Sequence, residues 1–124
     1  MSYSKVNYHD VERVEDAMHF LREPLDTEQV GVTIARCKPG WIGRKHDHTD
    51  NKQEEVYILI DGEATVTVDG EDVRMGPGDA LWISSDATRQ IRNGDEESAF
   101  VLVSAPEFTE TGDDSEWSLR GFTG

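Results

Sequence analysis

Cysteine occurs once in this 124-residue chain, at position 37. A single thiol excludes an internal disulfide and any zinc site built from several cysteines, and one set among apolar residues reads as a small core side chain. Basic residues are scarce: 12 Lys and Arg stand against 26 Asp and Glu, a formal net charge of −14. Phosphate backbones are held by cationic side chains, so nucleic acid is not an expected partner. No apolar run approaches the ~18 residues that span a bilayer, and Met1 to Asp10 lacks the apolar stretch of a secretion signal. A protein without membrane contact, in the cytoplasm, is the expectation. Also missing are a phosphate-cradling glycine loop, a dinucleotide fingerprint and a nucleophile elbow, which argues against nucleotide chemistry and acyl transfer.

What the chain does have is acid, spread along its whole length, and eight of its 12 basic residues are Arg. Self-repulsion of this size weakens a compact state unless counterions screen it, and at molar salt the screening length falls to about 3 Å. A salt-loving, halophilic source is therefore expected, with a melting temperature that rises with ionic strength. Thermal melts from dilute buffer to molar salt check this; full stability in dilute buffer would count against it.

Hydrophobic residues make up 35% of the chain, and its length suits one packed core. Val11, Val14, Met18 and Leu21 fall at helical spacing behind Asp10 as a potential N-cap, which fits a short helix over 10–21, while Met18 to Arg22 reads equally as an edge strand; Pro24 should stop either. The rhythm then changes to short strands bounded by turn residues: Val30 to Cys37, Glu55 to Ile60, Ala64 to Val68, Ala80 to Ser84, Thr88 to Arg92 and Ala99 to Ser104. That spacing means an all-β sandwich or barrel. Asp61-Gly62 and Asp69-Gly70 are pairs that supply positive φ in tight hairpins, and Gly76-Pro-Gly-Asp79 marks another reversal. Three segments result: an N-terminal piece (1–29), a barrel core (30–105), and a polar C-terminal tail (106–124), expected to be loose or to add a strand.

Chemistry concentrates between Gly40 and Gly62. In extended chain, His46 and His48 project to one side, so two imidazoles can meet one ion. On the following strand Glu55, Tyr57 and Leu59 share a face. If that face looks inward, Glu55 completes a two-histidine, one-carboxylate set suited to Fe, Mn, Zn or Ni, with open positions left over. The opposite face of Val56, Ile58 and Ile60 is apolar as well and needs a cover, either the N-terminal segment or a second subunit. Tyr57 is placed to donate a hydrogen bond to a ligand or simply to pack. Trp41 and Trp82 read as covering or interface residues rather than a stacking platform, and His9 and His19 as surface residues.

The order Gly40, His46, His48, Glu55, Gly62 resembles the first motif of the cupin family, G-x5-H-x-H-x(3,4)-E-x6-G. One departure is that six residues, not three or four, separate His48 from Glu55, which leaves Gln53, of the same strand parity, and then Glu54 as alternative third ligands. The second motif survives in part, in Gly70, the Gly76 to Asp79 turn and Asn93. Four residues before Asn93, where the family carries its fourth metal ligand, this chain has Arg89. The resemblance covers about residues 30 to 105. It implies a double-stranded β-helix barrel of jelly-roll type, a divalent metal ion, a small-molecule ligand and a homodimer.

Arg89 cannot ligate a cation, because a guanidinium stays protonated and only donates. Aimed at a divalent ion from about 5 Å it would cost roughly 7 kcal/mol at an effective dielectric near 20. Three arrangements remain. Arg89 turns aside to Glu54 or another carboxylate, or it holds an anionic ligand beside a three-ligand metal, or it neutralises Glu55 in a metal-free barrel. Three functions stand beside these arrangements, in no fixed correspondence: a metal-dependent binding domain for a small acidic molecule, a metal-dependent enzyme of dioxygenase, isomerase or lyase type, and a dimeric barrel without chemistry.

Overall fold

The computed structural model describes residues 2–106 together with the strand pieces Ser118–Leu119 and Phe122–Thr123. Two antiparallel sheets face each other. The larger is ordered β1-β2-β8-β3-β6, from β1 (Met18–Phe20), β2 (Gly31–Cys37), β3 (Gln53–Asp61), β6 (Ala80–Ile83) and β8 (Ser98–Pro106). The smaller is β5-β4-β7, from β4 (Ala64–Val68), β5 (Glu71–Met75) and β7 (Arg89–Asn93). This is the all-β jelly-roll arrangement, and alternate side chains of both sheets fill its interior. Ala35, Cys37, Tyr57, Leu59, Ile83, Phe100 and Leu102 come from one sheet, and Ala64, Val66, Met75 and Ile91 from the other. Burial pushes the Cys37 thiol up to about 11, as expected of an inert core thiol.

Turn residues act as their types demand. Asp69 and Gly70 both have positive φ, 47° and 82°, the pairing that twists a two-residue hairpin to match β4 and β5. Gly62, at φ 81°, has a second reason to be glycine: a Cβ there would lie 2.2 Å from the Glu97 carbonyl oxygen. β5 is a strand that the residue pattern does not announce. Glu71-Asp-Val-Arg-Met75 is an edge strand with its polar residues in solvent, and only Val73 and Met75 turn inward.

Of the two readings of the N-terminal segment, the structure takes the edge strand, β1, and not a helix over 10–21. Tyr8–Asp10 forms one 3-10 turn, Glu15 and Asp16 take positive φ (52° and 62°), and Val14 bridges back to Met18. This tight reversal lets β1 pair with β2, and strand pairing outweighs a marginal helical periodicity. Pro24 does not stop the chain but sits inside a one-turn helix, α1 (Arg22–Leu25), at a position whose N–H has no intrahelical partner anyway. His19 is not a surface residue: it is buried, donates from Nδ1 to the Val11 carbonyl (3.0 Å), and meets the Tyr8 ring edge-on. Tyr8 also accepts from Arg36 Nη1. The N-terminal segment therefore covers β1 and β2, while Ile60 and Trp82 stay more than half exposed on the outer face of β3 and β6. Trp41 is buried and its Nε1 donates to the Glu15 carbonyl.

β9 (Ser118–Leu119) and β10 (Phe122–Thr123) pair antiparallel with each other; the rest of the expected tail beyond residue 106, with Trp117, lies outside the described residues. Among the described residues no helix is long and apolar enough to cross a membrane.

Candidate metal centre

The chain before β3 runs antiparallel beside β7 and places the histidines. Gly43 N–H donates to the Ile91 carbonyl, His46 and Arg89 exchange both backbone hydrogen bonds (3.0 and 2.8 Å), and His48 N–H donates to the Ser85 carbonyl. His46 and Arg89 thus form one cross-strand pair, whose side chains share a face. From the opposite sheet β3 presents Glu55, directly across from Ile83 on β6 and Ser104 on β8.

Four groups converge on one carboxylate oxygen. Glu55 Oε1 lies 3.0 Å from His48 Nε2, 4.0 Å from His46 Nε2 and 3.7 Å from Arg89 Nε, and it accepts from the Tyr57 hydroxyl at 3.4 Å. Side-chain exposure falls from 36% at His46 through 21% at His48 and 10% at Glu55 to zero at Arg89. The histidines are the mouth of the site and Arg89 is its floor.

The second nitrogen of each histidine decides what the first can do. His46 Nδ1 lies 3.0 Å from the Arg44 carbonyl, which only accepts, so the ring donates there and leaves the Nε2 lone pair free. His48 Nδ1 lies 3.1 Å from Asn51 Oδ1 and is held the same way. A bare Nε2 lone pair facing a carboxylate oxygen at 3.0 Å sets two acceptors against each other, which a proton or a cation between them resolves. The donors fit a metal ion by distance as well. Two atoms each ~2.1 Å from one ion are at most about 4.2 Å apart, and the His46, His48 and Glu55 donor atoms all lie within 4.8 Å of one another. A small rotation of the half-exposed His46 ring closes that difference.

Asn51 was not anticipated from the sequence. It comes from the very residues that lengthen the loop between His48 and Glu55, and Lys52, at φ 52°, folds its N–H back to the His48 carbonyl to close that loop. Gln53 does not join the cluster: its Oε1 accepts from Arg22 Nη2 and its Nε2 donates to the Asn51 carbonyl, both at 3.4 Å. Glu54 points the other way, accepting from Trp82 Nε1 on the outer face.

Arg89 therefore does not turn aside to Glu54. Its Nη2 donates to the Ser84 carbonyl at 2.8 Å, while Nε and Nη1 have no hydrogen-bond partner although the residue is wholly buried. Buried polar groups almost always find partners, and one that does not asks for an explanation. Tyr57, also buried, is held protonated well above the ordinary phenol range, first by burial and then by the Glu55 charge, so it remains a donor at any working pH. Asn93 serves the architecture instead, its Nδ2 donating to the carbonyls of Cys37, Lys38 and Glu96 and so tying the end of β7 to the end of β2. An open groove of about 890 Å³ near Asp61, Arg74 and Arg92 includes none of His46, His48, Glu55 or Arg89.

Known proteins share this fold. A family profile described as a cupin domain matches residues 33–105. A protein of Mycobacterium tuberculosis named beta-D-galactosidase Rv1717 is 32% identical over 82 residues, 66% of this chain and 68% of that one. Among solved structures, a cupin protein from Bacteroides fragilis superposes with a TM-score of 0.75 at 24% identity, covering 97% of this chain and 98% of that one. A predicted oxalate decarboxylase from Thermotoga maritima superposes at 0.69 and 21% identity, covering 84% of this chain and all of the other. At these identities the structural likeness is one of fold.

Proposed function

This chain belongs to the cupin family, and from that premise we propose that it holds a divalent metal ion through His46, His48 and Glu55 and binds a small acidic molecule whose anionic group meets Arg89. The observation that carries the reading is the wholly buried Arg89 guanidinium, whose Nε and Nη1 lack a hydrogen-bond partner and whose charge partner is Glu55 at 3.7 Å, beside the three converging donors. Leaving buried donors unspent costs about 1–3 kcal/mol or more, and an anion entering from the histidine side would satisfy them with charge-assisted bonds. A bound ion would supply Lewis acidity, polarising a ligand oxygen. The protein's own residues would orient the ligand: Arg89 fixes its anionic end and Tyr57 gives a hydrogen bond to Glu55 that keeps the carboxylate aimed.

Elemental analysis of protein purified without added metal tests this directly. About one ion per chain is expected in the wild type, as for other two-histidine, one-carboxylate sites, and almost none in the His46→Ala, His48→Ala double variant. No metal in either preparation would leave the metal-free barrel as the reading that stands.

A second reading, metal-dependent catalysis of dioxygenase, isomerase or lyase type, is favoured by the exposure of the two histidine rings, which leaves room at the ion for substrate. The name of the mycobacterial relative raises glycoside hydrolysis. The usual chemistry for that needs two carboxyl groups roughly 5–9.5 Å apart across the bond, and Glu55 is the single buried carboxylate among the described residues.

Dimerisation is part of the same proposal. The outer face of the larger sheet carries Val56, Ile58, Val101 and Val103, with Trp82 at its edge and 61% exposed. In a molecule of net charge −14, an apolar, nearly uncharged face is where two copies approach with least repulsion. Sedimentation should return about twice the 13.9 kDa chain mass; a single-chain mass at working concentration would refute the dimer.

A further inference from the structure

The Arg22 guanidinium reaches Ser104, the cross-strand neighbour of Glu55, although it is 33 positions from Glu55 in the chain. The pairing of β1 with β2 aligns Met18 with Ala35 and Phe20 with Thr33, and Leu21 N–H continues it by donating to the Val32 carbonyl at 2.9 Å. At Leu21 the chain then turns into α1, and the Arg22 side chain comes to lie over Gly31. Gly31 pairs with Ser104, and Ser104 pairs with Glu55. Gly31, Ser104 and Glu55 thus form one row across three strands, and the Arg22 side chain, from the start of α1, lies over the Gly31 end of that row.

Gly31 is what lets Arg22 reach inward. A Cβ at that position would stand 2.4 Å from both Arg22 Nη2 and Ser104 Oγ, so the guanidinium occupies the space a side chain would take. From there Nη2 donates to Ser104 Oγ at 3.2 Å and to Gln53 Oε1 at 3.4 Å, and Nη1 donates to the Gln29 carbonyl at 3.0 Å. The contact with Gln53 carries the charge onto β3 itself, two residues from Glu55, or about 7 Å along the strand. Every partner of this guanidinium is neutral. Among the described residues no carboxylate lies within ion-pair distance of Arg22, in a chain with more than two acids for each base.

The mouth of the metal centre is therefore flanked by two guanidiniums without full charge compensation, Arg89 on the floor from the smaller sheet and Arg22 on the rim from the larger. We infer that the ligand is a small dicarboxylate, one carboxylate held by Arg89 and the second by Arg22, with Gln53 and Ser104 as positioning residues that keep the Arg22 guanidinium over the opening. This rests on the acidic-ligand reading of Arg89 and narrows it, since a single cation selects an acid while two cations at separate points select a diacid of limited length.

Lactate and malate form a matched probe pair, because malate is lactate with one methyl hydrogen replaced by a carboxyl group. Calorimetric titration of the purified protein, with metal content measured for every variant, should find malate bound at least about tenfold more tightly than lactate, the size of effect expected of one added charge-assisted contact. Arg22→Met should bring malate to the lactate affinity while leaving lactate and metal content unchanged. Gly31→Ala, which displaces Arg22 without removing its charge, should do the same. Equal losses for both acids, or no loss for malate, would overturn the role of Arg22. If the wild type binds both acids equally and Arg89→Met abolishes both, the acidic-ligand reading stands and the dicarboxylate inference fails. If the wild type binds neither acid, both fall together.

Discussion

Changing Arg89 to histidine is expected to tighten divalent metal binding by about two orders of magnitude and to abolish binding of small carboxylates. The guanidinium Nε lies 3.7 Å from the oxygen on which His46 and His48 converge, so a metal there would sit a few ångströms from a fixed positive charge. Coulomb repulsion for that arrangement is several kcal/mol at an effective dielectric near 20, an upper bound that Glu55 and solvent reduce to about 2–3 kcal/mol, or roughly 100-fold. Histidine removes the charge and adds a neutral nitrogen donor on the face that Arg89 shares with His46. Arg89→Met separates the two contributions: it relieves the repulsion without adding a donor, so metal affinity should rise by a smaller factor while carboxylate binding is lost equally. Competition against a chelator of known affinity, followed by titration with lactate, measures both. Unchanged metal affinity in Arg89→His would mean that the ion, if bound, does not sense position 89.

The second large effect is on stability. Gly62→Ala should cost about 3 kcal/mol or more, because it adds the left-handed penalty of 1–2 kcal/mol for a Cβ residue to a collision with main chain. The new Cβ would lie 2.2 Å from the Glu97 carbonyl oxygen and 2.9 Å from Ser98 Cα, neither the far end of a flexible side chain. Relief requires moving the start of β8 away from the end of β3, the two central strands of the larger sheet. For a chain of this length the melting temperature should fall by about 10 °C or more. Gly70→Ala is the control. It shares the positive φ (82°) but a Cβ there meets nothing within 4 Å, so about 1 kcal/mol is expected. Equal losses at the two positions in thermal melts would show that conformation alone, not the approach of β8, governs Gly62.

Much of this architecture is legible locally. The alternation of Glu55, Tyr57 and Leu59 against Val56, Ile58 and Ile60 needs only the two-residue period of a strand, and the hairpin at Asp69-Gly70 needs only the backbone preferences of two residues. The helical spacing of Val11, Val14, Met18 and Leu21 misled for the converse reason. Those four side chains have a periodicity but no helix partner, and the pairing of Met18 with Ala35, 17 residues away, offers more hydrogen bonds than one short helix. β5 escaped notice because an edge strand buries too little to mark its sequence.

The candidate site divides along the same line. His46, His48 and Glu55 stand in a spaced frame that can be read along the chain, as can the anomaly of Arg89, and the long loop after His48 is visible as an irregularity. Nothing along the chain tells that the loop supplies Asn51 to orient His48, or that Gln53 turns to Arg22 instead of to the histidines. Those are contacts between side chains whose directions are set by neighbours.

By itself, then, the sequence of this cupin determined the strand rhythm, the turns and the histidine pair with three candidates for its third donor, since each depends on residue type and a short spacing. Only the tertiary structure decided that Arg89 is buried with two of its nitrogens lacking a hydrogen-bond partner, and that Arg22 reaches Ser104, beside Glu55, through the space left open at Gly31. Strand pairing is a long-range choice of register, and a shift of one residue would have sent the Arg89 guanidinium to the outer face.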